Sequence, residues 1–533
     1  MRRLGTFAIR RRRWILWGTL AAAILAAAFG GTVTKLLSTG GFTDPTSQSQ
    51  KAEDLLEAQF HQGNPNMVLL VTAKSGSVDS PDVAVQGFAL TKRLAAEPGI
   101  EQAVSYWSLG SPPPLRSTDG AQALILARIS GDDDQVRQRI DVLSPKYTLS
   151  NATINVGVGG QAEVFRQVGI QVEHDLRKAE SITFPVVLLL LVLVFGSALA
   201  AGLPLSIAGI AVVGTLLILR ILVSVTNVSV YSLNLTTAMG IGLGVDYALF
   251  IVSRFREELR AGSGVTDAVI TTVETAGRTV LFSGLTVAVS LAALLVFPLY
   301  FLRSFAYAGI AVVALAAFGA IVVLPALLAT LGRRVDAFAL WHRTPKEVGQ
   351  GFWHRLATFV MHRPVRVAVG VVAVLVVLGL PFLSVRFGLP DDRVLPTSAT
   401  SRQVQDQIRT DFSSEEAAAL SVVAPDAGPP GPTLNAKVAS YATRLSTLPG
   451  VARVDALTGS YIKGRQVAPP SRISARFANP HGTWLSVVPG VEPLSSAGEA
   501  LAKDVREAPA QFPTEVTGAS AQLVDSKAGI FGR

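Results

Sequence analysis

The chain has 533 residues, 49% of them hydrophobic and 16% charged, with a formal net charge of +9. A soluble globular chain is nearer a quarter charged, so water is not the main solvent of this one. The absence of cysteine excludes a disulfide framework, thiolate metal sites and cysteine nucleophiles.

Seven apolar stretches reach the roughly 20 residues needed to cross a bilayer core: residues 14–31, 183–201, 203–223, 233–252, 279–297, 305–330 and 367–385. The first follows four arginines, Arg10 to Arg13, and is longer than the apolar region of a signal peptide, so it reads as an uncleaved anchor. The loop 253–278 carries Arg254, Arg256, Arg260 and Arg278, and the linker 332–366 carries Arg333, Arg334, Arg343, Lys346, Arg355, Arg363 and Arg366. With the basic N-terminus, these segments fall on one side of the membrane. The positive-inside rule then predicts a cytoplasmic N-terminus and an external C-terminus in an inner (cell) membrane protein. The basic charge reads as topology, and nucleic acid is not an expected partner.

Two polar segments of domain size, 32–182 and 386–533, fall on the outer side. Within the first, alternation and helical periodicity predict strand 66–73, helix 82–97, strand 101–107, strand 121–130, helix 132–145 and strand 152–158. That order, βαββαβ, suggests a ferredoxin-like α+β unit. The expected fold is therefore an α-helical polytopic membrane protein with two external α+β domains. Its organisation is a basic N-terminus and first span (1–31), the first external domain (32–182), spans two to six (183–331), the basic linker (332–366), the seventh span (367–385) and the second external domain (386–533). A polar helix over residues 160–182 would run straight into the second span and could act as a lever.

An internal repeat supports this division. Leu90 to Ile100 (LTKRLAAEPGI) aligns with Tyr441 to Val451 (YATRLSTLPGV). A stretch beginning PTS and ending at Phe60 aligns at nearly the same offset with one beginning PTS and ending at Phe412. In the first repeat the external domain is followed by five spans; the second repeat stops at Arg533, so a truncated or split copy is expected, with a second bundle coming from another chain or from a homo-oligomer.

The fourth span carries the chemistry. Asp246 lies near its middle, where insertion scales put the cost of a charge at roughly 2.5–3.5 kcal/mol. The carboxyl is thus expected to hold its proton until another helix or water stabilises the charge. Tyr247 offers a hydroxyl, and Phe250 shares the face of Asp246 and could shield it from water. Gly240, Gly242 and Gly244 would let helices approach closely, although glycines in membrane helices are often packing devices alone. Tyr247 is as readily a packing residue as part of a relay. Ser283 and Ser290 of the fifth span could line a path, yet such serines usually bond their own backbone. Arg220 is read as snorkelling to the headgroups.

The run Gly240-Ile-Gly-Leu-Gly-Val-Asp246-Tyr247, followed by Phe250 and SRFREEL, together with AGRTVLFSGLTVAVSL in the fifth span, resembles the MMPL family of the resistance-nodulation-division (RND) superfamily. The resemblance implies porter-type external domains and export of lipids or other hydrophobic molecules in exchange for protons. It also implies that Asp246 and Tyr247 form one half of a proton relay. No cofactor beyond the coupling proton is expected. The alternative is a non-transporting lipid-binding or sensing protein, or an inactive remnant. An intramembrane aspartyl protease would need a second carboxylate in another span, and no P-loop is present to bind ATP. The six histidines, His61, His174, His342, His354, His362 and His481, lack metal-ligand spacing, so neither an enzyme nor a metal protein is expected.

Overall fold

The computed structural model describes residues 1–337, 352–385 and 388–532. Of the basic linker, His342, Arg343 and Lys346 lie outside the described residues. Among the described residues seven helices are long and apolar enough to cross a membrane: Arg12–Gly30, Gln161–Phe195, Ala198–Leu222, Ser232–Arg260, Val265–Val296, Tyr300–Asp336 and Pro364–Leu383. They are called spans one to seven below. Five of them differ from expectation chiefly at their ends. The break between spans two and three, placed by hydropathy after residue 201, falls at Gly196 and Ser197. Gly196 takes the left-handed conformation that ends a helix, and the Ser197 hydroxyl caps the next by accepting from Ala200 N–H. Span two also continues outward without interruption over the polar residues 161–182, so the expected lever and the span are one helix of 35 residues.

Span four packs against spans three, five and six. Span six is the most enclosed, with 67% of its most apolar stretch buried, whereas span seven has none of its stretch buried. Span six makes one π-helical turn, Gly319–Val323, immediately before Pro325. The wider turn accommodates a proline ring that would otherwise strike the preceding carbonyl. On the face opposite the α+β domains, Arg256 of span four reaches Asp336 at 2.7 Å and donates to the carbonyl of Phe195 at 3.0 Å, joining the ends of spans two, four and six.

The first α+β domain has strands β1 (Met67–Ala73), β2 (Ile100–Ser105), β3 (Gln122–Ile129), β4 (Leu149–Ser150) and β5 (Ile154–Gly159) in the order β2-β3-β1-β5-β4, all antiparallel. The register pairs Leu69 with Ile125 and with Val158, which puts the apolar alternation of three strands on shared faces. Helices Pro81–Ala95 and Asp133–Tyr147 cover the sheet. The second domain repeats the plan with β6 (Leu420–Ala424), β7 (Val451–Ala456), β8 (Gly459–Ile462), β9 (Arg465–Ala468), β10 (Thr483–Pro489) and β11 (Glu515–Thr517) in the order β11-β6-β10-β7-β8-β9. Its added hairpin, β8–β9, turns through Lys463 and Gly464, both at positive φ, as a two-residue turn requires.

The domains exchange a helix. Gln48–Phe60, which precedes β1, packs its apolar side on the second sheet, where Ala52, Leu56 and Phe60 join Val423, Phe477 and Trp484. Thr400–Asp411, which precedes β6, packs on the first sheet. Val404 fills the space left by Gly157 and Gly159 of β5, and Ile408 and Phe412 enter the same core. Polar bonds lock the exchange. Buried Arg128 of β3 pairs with Glu57 at 2.8 Å and lies 3.3 Å from Glu53 and from Glu101. Gln522 of the second domain donates to Glu53 at 3.0 Å. Burial pushes the Glu53 carboxyl up against the pull of Arg128.

Candidate functional site

Span four presents three different faces. Gly240 and Gly244 are buried against span three: a Cβ on Gly244 would lie 2.6 Å from Ala208 Cα, and one on Gly240 would lie 2.4 Å from a methyl of Val212. The close approach these glycines allow is thus made to span three, inside the bundle. Gly242 has open space around it. One helical row away, Asn234, Ala238, Gly242, Asp246 and Phe250 recur every fourth residue and are all exposed, so they form an inclined stripe that winds along the outside of the bundle. Asp246 therefore faces away from the other spans, with Phe250 one turn below it and 49% exposed.

Tyr247 points the other way. Its side chain is buried, and its hydroxyl lies 3.3 Å from Ser283 Oγ of span five, either oxygen being able to donate. Ser290, by contrast, donates to its own helix at the carbonyl of Thr286. The relay candidates Asp246 and Tyr247 are thus adjacent in sequence, with only the phenol engaged inside the bundle.

The stripe leads outward to a cavity of about 640 Å³ that the sequence did not reveal. Asn234 and Ala238, the first two members of the stripe, form its floor. Its walls come from the outer helix of span two (Val168, Val172), the outer end of span six (Phe301, Phe305) and the chain at Val394 and Leu395. Phe42, Tyr231, Phe301 and Phe305 form a linked aromatic group there, with ring centroids 4.7–5.7 Å apart. Ala238 and Asp246 are separated by two helical turns, about 12 Å at 1.5 Å per residue. A partly open, mainly apolar cavity of this size suits a hydrocarbon chain.

Beside the cavity, the first α+β domain is tied to the bundle through one tyrosine. Tyr300, at the start of span six, donates to Asp133 Oδ2 at 2.8 Å and lies 2.7 Å from Ser38 Oγ. Ser38 forms a bridge with Ser229, whose N–H donates to Ser304 of span six at 2.9 Å. Gly41, at φ 98°, is required here because a Cβ would lie 2.6 Å from the Tyr300 ring. On the other side of the cavity the outer helix of span two holds the exchanged helix of the second domain: Ser401 Oγ donates to Gln167 at 2.8 Å. Buried Glu163 on the same helix receives Arg166 at 2.7 Å. No single sequence motif marks the Tyr300–Asp133 and Ser401–Gln167 joints, since each joins residues far apart in the chain.

Comparison with known proteins places the chain in a family. Residues 41–367 match the MMPL family. A membrane protein of Streptomyces coelicolor is 34% identical over 525 residues, covering 96% of this chain and 67% of its own. The trehalose monomycolate exporter MmpL3 of Mycolicibacterium smegmatis is 30% identical over 449 residues, 77% of this chain and 44% of its own. The heme uptake protein MmpL11 of Mycobacterium tuberculosis is 33% identical over 383 residues, 70% of this chain and 39% of its own. The chain thus spans less than half the length of these two mycobacterial relatives. On the family match and the Streptomyces relative together, the chain belongs to the MMPL family of membrane transporters.

Proposed function

We propose that the chain takes part in proton-driven export of lipids or other hydrophobic molecules across the cell membrane, with its N-terminus cytoplasmic and both porter-type α+β domains outside. The carrying observation is the stripe of span four, which joins an exposed acidic side chain, Asp246, to the floor of an apolar cavity along one exposed row of the helix. A charge facing hydrocarbon costs roughly 2.5–3.5 kcal/mol, so protonation of Asp246, or a polar partner from a second bundle, decides how that face is covered. Gain and loss of the proton shifts span four against its neighbours. Span two and the joint at Tyr300 carry the shift to the α+β domains. An acyl chain held between the aromatic residues and Asn234 would be released or retained accordingly. Tyr247 sets the position of span five through Ser283, and Phe250 shields the carboxylate. No cofactor other than the proton takes part.

The test is reconstitution of the chain in vesicles with an imposed pH gradient, following movement of a fluorescent single-chain acyl glycoside between leaflets. Gradient-dependent movement that disappears in Asp246→Asn is the expected result. Equal movement by the variant removes the proton role. The cavity also favours a second reading, a lipid-binding or sensing protein. Retention of the glycoside by the wild type and by Asp246→Asn alike, with no gradient-dependent movement in either, selects it.

A further inference from the structure

The chain begins with a short helix, Arg2–Arg10, that stands apart from the seven spans and lies on the membrane face opposite the α+β domains. Its inner side is small: Gly5 and Ala8 are buried, and a Cβ on Gly5 would lie 3.3 Å from Ile270 Cα of span five. The helix is thereby docked on the bundle, with no room to turn over.

Its outer side combines two chemistries. Arg2, Arg3 and Arg10 are exposed, as are Arg11 and Arg13 just beyond it, and the first acidic residue of the sequence is Asp44. Arg12 alone turns inward and donates to the carbonyl of Ala329 at 2.8 Å. Between the arginines, Leu4 and Phe7 are 41% and 51% exposed, and Trp14 and Trp17 are exposed at the start of span one. Arginine matches phosphate oxygens with paired N–H groups, and exposed apolar side chains beside it need hydrocarbon to cover them. A soluble anion would satisfy the first requirement and leave the second unmet. A phospholipid satisfies both, and tryptophans at this level mark the membrane interface.

We propose that Arg2, Arg3 and Arg10 form a binding site for the phosphate headgroups of anionic phospholipids, with Leu4 and Phe7 set among the acyl chains. The helix Phe352–His362, which precedes span seven on the same face, repeats the combination: exposed Phe359 and Met361 lie beside Arg355 and Arg363, the latter stacked over the Phe359 ring. Because Gly5 rests on span five, the helix that binds the lipid is packed against the span that carries Ser283.

The test uses the full chain in phosphatidylcholine nanodiscs doped with photoactivatable phosphatidylglycerol or, in parallel, photoactivatable phosphatidylcholine of the same chain length. Phosphatidylglycerol is expected to label the peptide Arg2 to Trp17 several-fold more than phosphatidylcholine. The triple variant R2Q/R3Q/R10Q is expected to lose that excess, so that phosphatidylglycerol labelling falls to the unchanged phosphatidylcholine level. The R2K/R3K/R10K variant, which keeps the charge, should retain most of the excess, and unfolding temperatures of all three proteins should agree because the side chains are exposed. Equal labelling by the two lipids overturns the proposal, as does full phosphatidylglycerol labelling of the glutamine variant. Competition by millimolar inorganic phosphate also overturns it, since the site would then take a free anion.

Discussion

Asp246 and Tyr247 are consecutive, yet the helix turns them to opposite environments: the carboxylate is exposed on the outside of the bundle, and the phenol is buried 3.3 Å from Ser283 Oγ. The tyrosine is therefore part of the bundle's internal bonding, and its energetic role is separable from that of the acid. Tyr247→Phe and Ser283→Ala should each destabilise the chain modestly, and the double variant by less than their sum. Thermal unfolding in detergent should give a coupling energy of about 0.6 kcal/mol, the average for hydrogen bonds between membrane helices. Additivity would mean that the two oxygens do not interact.

The three glycines of span four should behave differently. Gly244→Ala forces a methyl against the backbone of Ala208 and should cost about 1–3 kcal/mol, the range for overpacking. Gly242→Ala meets nothing within 4 Å and should be neutral or stabilise by up to about 1 kcal/mol through helix propensity. Unfolding temperatures of the two variants, measured side by side, check the contrast.

Acid should loosen the exchanged helix Gln48–Phe60. Burial opposes the charge of Asp525, but hydrogen bonds from Arg506 and Ser49 outweigh it and hold the carboxyl below its usual range. A lowered folded value means stability that is present above the ordinary carboxylate range and lost as pH falls through the folded value. The unfolding temperature should therefore drop below about pH 4, and Asp525→Asn should flatten that part of the profile while lowering stability at pH 7. An unchanged acid limb in the variant would assign the loss to other groups.

Exchange of helices makes an unusual prediction about where damage is felt. Phe60→Ala and Phe412→Ala each remove a buried ring, at a cost of about 3–5 kcal/mol. Hydrogen exchange should show the first loosening β6 and β11 of the second domain, and the second loosening β5 of the first. Protection lost only in the mutated half of the sequence would contradict the packing.

The spans were legible because a bilayer imposes a length and a composition that hydropathy reads directly. The break at Gly196 was less so, since the residues on both sides of it are equally apolar and only a left-handed glycine and a serine cap mark the turn. Asp246 stood out as a carboxylate inside an apolar run. Its outward direction did not, because a single helix contains no information about which neighbours occupy its other faces. The stretches ending at Phe60 and Phe412 stood out only as a repeat, and a repeat names neither the helix each forms nor the sheet that receives it. The cavity was invisible for a similar reason: Phe42, Val172, Tyr231, Phe301 and Leu395 are ordinary apolar residues until five separate segments bring them together.

The exchanged helix Thr400–Asp411 also sets a schedule. The ribosome finishes β5 at Gly159 and must then thread six spans, two to seven, and a linker before the helix that covers it is made. At about 5–20 residues per second the delay is on the order of tens of seconds. Throughout that interval Gly157 and Gly159 present an open notch, so the first domain is born before its own lid and matures only when the second arrives.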